Sequence, residues 1–557
     1  MPNENATSKR FAGWMLAFIL SVFGAHCWVV WLYGSALPFW DQWDEALYFL
    51  KPWVDGHLAW TDFVSPASDH RIIVTHLWDM FLISLNGRWE PLLQMVANGV
   101  LHTIYAGGLA FCIWHFLGRK NAWLVCGLLL PFFILPFAGE NAIWGLNSLW
   151  YFIYIFGLGA IVGLGFSRFG SWQWWVGLLA ALLGLMTMAT GPLAPLAVAG
   201  LILLRAIKNR QWNHSIVIPL SICLLFGALG VAGGAHNGDN TLKAHSFAEF
   251  IGALIRYLDW PFFKLPWMAL VIPLPLAGLL YYYFRPGFQA TREAEFLLTL
   301  ALWSVLQTVV LSFGRANYGD VPASRYTEIF SLLLISSIFS FILLCDQWRR
   351  DRILNFNALL MPLVYAGVIF WGLCQMSEIV VDNLIEPTRF MNVVAEERVT
   401  VFLATSNDND LLEAPTIRPA PKTALTVLRD SKLQSILPLC CISPAAKPTE
   451  SWLTPAALGL LRYSTAIMTA GLTLFVSLCA FGLFRSAWDM SYKKPENILI
   501  LLAALLMLGF VLSKHSMQRG LVEYGIQQQL ADYFKSEGKE ARAAYHAHKA
   551  EELKIAQ

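Results

Sequence analysis

The chain has 557 residues, 57% of them hydrophobic and 14% charged, with a formal net charge of +2. Soluble globular domains carry about 25% charged residues, so this composition excludes an ordinary soluble protein. The near-neutral balance excludes the basic footprint of a nucleic-acid binder. Nine cysteines form no framework: Cys27, Cys112, Cys126, Cys223 and Cys479 lie in apolar runs, Cys440 and Cys441 are adjacent, and no CxxC or Cys/His cluster suggests zinc.

Apolar runs near 20 residues recur along the whole length, each able to cross about 30 Å of hydrocarbon. About thirteen transmembrane helices are expected, near 11–33, 91–117, 122–138, 149–167, 173–189, 192–205, 214–234, 266–284, 295–313, 326–345, 356–375, 463–485 and 496–513. The fold class expected is therefore an all-α polytopic membrane protein. The first run is longer than a signal-peptide core and reads as a retained span. Lys9, Arg10, Arg119, Lys120, Arg205, Lys208, Arg210, Arg285, Arg292, Arg349, Arg350, Arg352, Arg485, Lys493 and Lys494 fall on one face, which the positive-inside rule makes cytoplasmic. The N-terminus lies there too, and an odd span count places the C-terminal tail opposite.

The opposite face collects the first loop at 34–90, GENAIWGLNS (Gly139–Ser148), a loop around Ala235–Pro266, GRANYGDVPASRY (Gly314–Tyr326) and an insert at 376–462. The division expected is a module over 1–375, the extracytoplasmic insert 376–462, C-terminal transmembrane helices at 463–513 and a charged helical tail at 514–557. Inside the first loop, Ile72–Leu85 is apolar but short and interrupted by His76 and Asp79, which suits an interfacial amphipathic helix. The insert is expected to begin flexibly, with the proline-rich stretch Thr405–Pro421, and to carry a helix around Ala424–Leu437. The tail is expected to be helical and solvated, with an apolar stripe at Leu521, Tyr524, Leu530 and Phe534.

The first loop, Phe39–Arg71, is the stretch that could carry chemistry. Asp41, Asp44 and Glu45 lie close together among Trp40, Trp43 and Tyr48. A carboxylate at a bilayer edge can serve as a general base or hold a divalent cation, and burial beside like charges raises its pKa. Acids of this kind also begin helices for purely structural reasons. Arg315 and Arg325, in one loop beside Tyr326, match a phosphate with their planar forks, although arginines at such positions also pair with carboxylates or reach lipid headgroups. Arg71, another arginine of this face, and His70, a phosphate donor or proton shuttle, complete this set. Glu140, Asn141 and Trp144 suit contact with a sugar, or the capping of a span end.

These residues resemble the GT-C superfamily of membrane glycosyltransferases, whose first extracytoplasmic loop carries an acidic motif soon after the first span. DEALYF at Asp44–Phe49 matches that pattern, with Asp41 as an additional upstream acid, and the order span, acidic loop, interfacial helix, span is similar. GRANYGDVPASRY also resembles outer-loop segments of bacterial polytopic proteins linked to O-antigen and cell-envelope glycosylation. The resemblance covers the architecture of roughly the first 350 residues. It implies transfer of a sugar, with inversion, from a polyprenyl-phosphate or polyprenyl-diphosphate donor to a glycan or lipid acceptor on the periplasmic face of a bacterial inner membrane. By that resemblance Asp44 is the general base with Glu45 beside it and Asp41 as rival. Arg315 and Arg325, with His70 and Arg71, neutralise the carrier phosphate, and Glu140, Asn141, Trp144 and Tyr326 line the substrate. No tetrad of acids marks a metal site, and no protein partner is indicated. Two rivals remain: an O-antigen polymerase or ligase, which would need the arginines but not Asp41 or Asp44, and a transporter or flippase, whose polar residues should lie within the spans.

Overall fold

In a bilayer every backbone N–H and C=O must be satisfied inside the chain, and helices do this segment by segment. The computed structural model describes residues 4–65, 70–117, 122–232, 240–262, 264–288, 291–319, 321–353, 360–412, 421–442, 451–488, 519–536 and 538–555. Among these it is all helix, without a strand. Among the described residues nine helices are long and apolar enough to cross a membrane: Phe11–Tyr33, Pro91–Phe116, Ala122–Ile143, Gly145–Phe166, His214–Ala232, Thr291–Gly314, Ser324–Arg350, Leu360–Thr405 and Ser464–Phe481. The chain is thus a polytopic helical membrane protein. The other four expected spans do not add to that number among the described residues. Trp172–Leu185 and Met268–Phe284 are apolar but short, Leu193–Asn209 carries Arg205 and Lys208, and 496–513 lies outside the described residues.

Helix α1 (Glu4–Tyr33) lies along α18 (Ser464–Trp488) and against α3 (Pro91–Phe116) and α4 (Ala122–Ile134); the first loop contributes α2 (Ile73–Asn86). After the short α5 (Gly139–Ile143), α6 (Ser148–Phe166) pairs with α7 (Trp172–Leu185). A Cβ on Gly177 would come within 2.7 Å of the Gly163 backbone, so the two helices meet through glycine. Helices α8 (Leu193–Asn209), α9 (His214–Ala232), α10 (Phe247–Leu258), α11 (Leu274–Phe284) and α12 (Thr291–Gly314) follow. Then comes α13 (Thr327–Arg350), of whose apolar window 94% is buried inside the protein. That burial matters for function, because a polar group on α13 faces protein and not lipid.

Helix α14 (Leu360–Val380) continues through one π-turn into α15 (Glu386–Thr405). The run of 46 residues is roughly 70 Å long at about 1.5 Å per residue, twice the hydrocarbon thickness. α15 therefore projects beyond the membrane; of the stretch expected to be flexible, Asn409–Leu412 form a short helix and 413–420 lie outside the described residues. Two bodies dock on this strut. One is the first loop, whose Trp43, Phe49, Leu50 and Trp89 share a single core with Val399 and Phe402 of α15 and with Val427, Leu433 and Leu437 of the insert. Lys51 pairs with Asp430 and with Asp55 at 2.9 Å, and Lys432 reaches Asp55 at 2.9 Å. Loop and insert thus form one module, with α16 (Pro421–Arg429) where a helix was expected; α17 (Thr454–Arg462) then leads into α18.

The other body is the tail. It folds as α19 (Arg519–Ser536) and α20 (Glu540–Ile555), and its stripe is not solvated. Ile526, Leu530 and Phe534 pack on Val394 of α15. His546 bonds Gln527 at 2.7 Å and Glu397 at 3.0 Å. This places the tail at the same end of the bundle as the first loop.

Candidate functional site

The span 122–143 is broken, and the site is built on the break. α4 ends at Ile134, Pro136–Ala138 form a 3-10 turn, α5 runs over Gly139–Ile143, and a second 3-10 turn at Gly145–Asn147 leads into α6. GENAIWGLNS, where the spans 122–143 and 145–166 meet, is packed inside the protein and not exposed to solvent: Glu140, Asn141, Trp144 and Asn147 are all buried. Irregular backbone at this depth needs polar partners, and the chain supplies them. Asn98 Nδ2 donates to Trp144 O at 3.3 Å and Gly145 O at 2.9 Å. Asn147 Nδ2 donates to Glu140 O at 3.0 Å. Thr327 Oγ1 donates to Phe137 O at 3.3 Å. Gly145 is required, since a Cβ there would lie 2.7 Å from Gln94 Oε1 and 2.8 Å from Gln42 Nε2.

Two segments converge on α5 and the turn that follows it. From the start of α13, Arg325 pairs through Nη1 with Glu140 Oε1, and its backbone N–H donates to Glu140 Oε2 at 3.3 Å. Ser324 Oγ donates to the same oxygen at 3.3 Å. Arg325 Nη2 and Arg315 Nε both reach Tyr326 Oη at 3.3 Å. The Arg325 guanidinium also lies 5.4 Å from the Tyr318 ring centre and 4.9 Å from that of Tyr326. From the first loop, Trp40 stacks on Trp144 with centroids 6.0 Å apart and planes 18° from parallel. That stacking carries Asp41 toward the arginines. Burial raises the Asp41 carboxyl above its ordinary value, the Asp44 charge adds to the rise, and the Arg325 guanidinium opposes both. Asp41, Glu140, Asn141, Trp144, Arg315, Arg325 and Tyr326 thus form one cluster.

The other expected residues do different work. Asp44 is turned toward the insert, where Thr423 hydrogen-bonds its carboxyl; burial still raises its pKa. Glu45 is no catalytic partner of either aspartate. It is buried against Asp79 of α2, and desolvation with mutual repulsion raises it well above the usual carboxylate range, with Asp79 pushed up to about 7. Two buried carboxyls in contact share a proton because both cannot ionise. Gln94 donates to Asp79 Oδ1 at 2.5 Å and accepts from Gln42 at 2.9 Å and from Trp89 Nε1 at 3.1 Å. Gln42 in turn accepts from the Phe39 N–H at 3.0 Å. This chain brackets Trp40, which holds a left-handed φ of 52°, a strained conformation for a bulky side chain.

Helix α2 is amphipathic as expected, but its buried face carries Thr75, His76, Asp79 and Asn86, while Leu77, Phe81 and Leu85 are exposed. Its polar side faces protein because Asp79 has partners there. Arg71 is exposed and serves the loop itself, donating Nε to Val64 O at 3.1 Å. The bonds that build the cluster run through neither Arg71 nor the half-buried His70.

Sequence reasoning missed Gln42, Asp79, Gln94 and Asn98 as the groups that hold the site. It also did not single out His26, His102 and Glu328, which are buried inside the spans. The legible signal was a polar side chain inside an apolar run, which is costly unless it has a partner or a task. Among the described residues no three His, Cys, Asp or Glu side chains gather as a metal-ligand set. No protein-family model, curated protein or solved structure matches this chain.

Proposed function

We propose that the protein is a membrane glycosyltransferase of GT-C type, moving a sugar from a polyprenyl-phosphate or polyprenyl-diphosphate carrier to an envelope glycan or lipid acceptor at the periplasmic face of a bacterial inner membrane. The observation that carries this reading is the pairing of Asp41, a carboxyl with raised basicity, with the Arg315–Arg325–Tyr326 group across one cluster. In this reading the acceptor oxygen attacks the anomeric carbon and its proton passes to Asp41. The bond from that carbon to the carrier phosphate breaks, and its electron pair leaves with the phosphate, whose charge the two guanidinium groups take up. The stacked Trp40 and Trp144 offer aromatic faces to the sugar. Asp41 replaces Asp44 as the base, because Asp44 is engaged with Thr423.

The test uses purified full chain in nanodiscs, a panel of polyprenyl-linked sugars, crude envelope glycan as acceptor, and mass spectrometry of the released lipid phosphate. Asp41→Asn should abolish turnover with donor binding kept. Arg325→Ala should weaken donor binding, and Asp44→Asn should leave most of the turnover. Turnover that survives Asp41→Asn overturns the assignment. The buried His26, His102 and Glu328 favour a second reading, a lipid-linked glycan flippase. It is distinguished by carrier movement across the bilayer that needs Arg325 and not Asp41.

A further inference from the structure

Beneath the arginine cluster, one turn along α13 from Arg325, lies Glu328. It borders a cavity of about 30 Å³ lined by His26 of α1, His102 of α3, Tyr151 of α6 and the break between α4 and α5. That is room for roughly one water-sized body, too little for a sugar or an organic amine. Its polar walls are incompletely satisfied. His102 Nε2 lies 3.5 Å from Glu328 Oε1, yet neither ring nitrogen has a hydrogen-bond partner among the described residues, and His102 is 6% exposed. The neighbouring Tyr105 and Tyr154 hydroxyls are equally buried without one. The Glu328 carboxyl accepts from Asn141 Nδ2 at 3.4 Å.

Among the described residues that line the cavity, Glu328 is the one acid. The last turn of α4 forms one wall, and Pro136 has no N–H to give the carbonyl of Phe132 four residues earlier. A helix C-terminus carries partial negative charge. Facing Glu328, α1 presents His26, α3 His102 and Tyr105, α6 Tyr151 and Tyr154, and α5 Glu140 and Asn141. The full cation nearby, Arg325, is already paired with Glu140. A carboxyl, the end of a broken helix and the unpartnered ring of His102 around a one-atom space describe a cation site at a discontinuous helix. His26, His102 and Glu328 are not gathered as ligands for a transition metal.

We propose that this cavity binds one small monovalent cation, with Glu328 as its anionic ligand. The ion is either an alkali cation beside Glu328 or a proton upon it. Asn141 couples the site to the arginine cluster, because its Nδ2 also donates to Arg325 O at 3.2 Å.

The test measures radioactive sodium binding to full chain in nanodiscs at fixed alkaline pH, with infrared spectra of the same samples across pH. Saturable sodium binding at about one ion per chain, reduced at least tenfold by Glu328→Gln and untouched by Asp79→Asn, supports the alkali ion. Absent sodium binding with a protonated-carboxyl band that Glu328→Gln removes and Glu328→Asp shifts supports the proton. If Glu328→Gln does not fold, Ala142→Val, which fills the cavity without altering a charge, should lower sodium binding. Sodium binding indifferent to these variants, or neither sodium binding nor a Glu328-dependent band, overturns the proposal.

Discussion

Truncating Arg325 to alanine strands Glu140, whose side chain is 8% exposed. What remains to that carboxylate is two bonds of 3.3 Å, from the backbone N–H at position 325 and from Ser324 Oγ. Removing one partner of a buried ion pair costs about 3–5 kcal/mol, most of it the isolated charge left behind. Glu140→Gln costs less, about 1–3 kcal/mol, because the Arg325 guanidinium keeps Tyr326 Oη at 3.3 Å and the faces of Tyr318 and Tyr326. The double variant leaves no charge stranded, so its loss should fall short of the sum by about 2 kcal/mol. Equilibrium unfolding in mixed detergent micelles, followed by helical circular dichroism, measures all four corners of the cycle. Losses that add to within about 0.5 kcal/mol, the range expected of independent sites, would refute the buried pairing and with it the geometry of the cluster.

Stability of the first loop should fall as pH rises from about 4 to above 7. The fold keeps a proton on Asp79, pushed up to about 7, and on Glu45, where the unfolded chain has released both. Hydrogen exchange over 42–54 should show this, with the slope reduced in Asp79→Asn. The difference between the two proteins is the quantity to read. Glu90, also pushed up to about 7, adds a slope of the same sign, and His76, lowered to about 4 by burial, adds one of opposite sign between about 4 and 6.5. Equal slopes would count against a proton held on Asp79. Asn98→Leu removes the donor to two carbonyls at the helix break and should cost about 2–6 kcal/mol at 1–3 kcal/mol per stranded group; an unfolding midpoint near wild type would contradict that role. Gly177→Val forces α7 off α6 by collision with the Gly163 backbone and should cost about 1–3 kcal/mol, whereas Gly287→Ala, at a position where a Cβ meets nothing but the φ is 83°, should cost about 1–2 kcal/mol from backbone strain alone.

What the sequence by itself determined was the class of the protein, and it singled out several polar residues that the fold brings together. Runs of apolar residues at bilayer length can only be helices in a membrane, because nothing else satisfies their backbone there. Carboxylates, arginines and aromatic residues at span ends were legible as exceptions to that rule, and Asp41, Glu140, Asn141, Trp144, Arg315, Arg325 and Tyr326 do come together.

The tertiary structure alone decided which exceptions face one another. Asp41, Asp44 and Glu45 are near neighbours in the chain, yet helical geometry points them to the arginine cluster, to Thr423 and to Asp79 respectively. No local pattern distinguishes three such acids, since their environments are supplied by residues tens to hundreds of positions away. The break at Pro136–Asn147 was likewise hidden. Its polar residues read as a solvent loop, because the partners that allow them to be buried, Asn98 and Thr327, sit on other helices. Burial of a polar group is a property of its neighbours in space, and only the packed bundle contains that information.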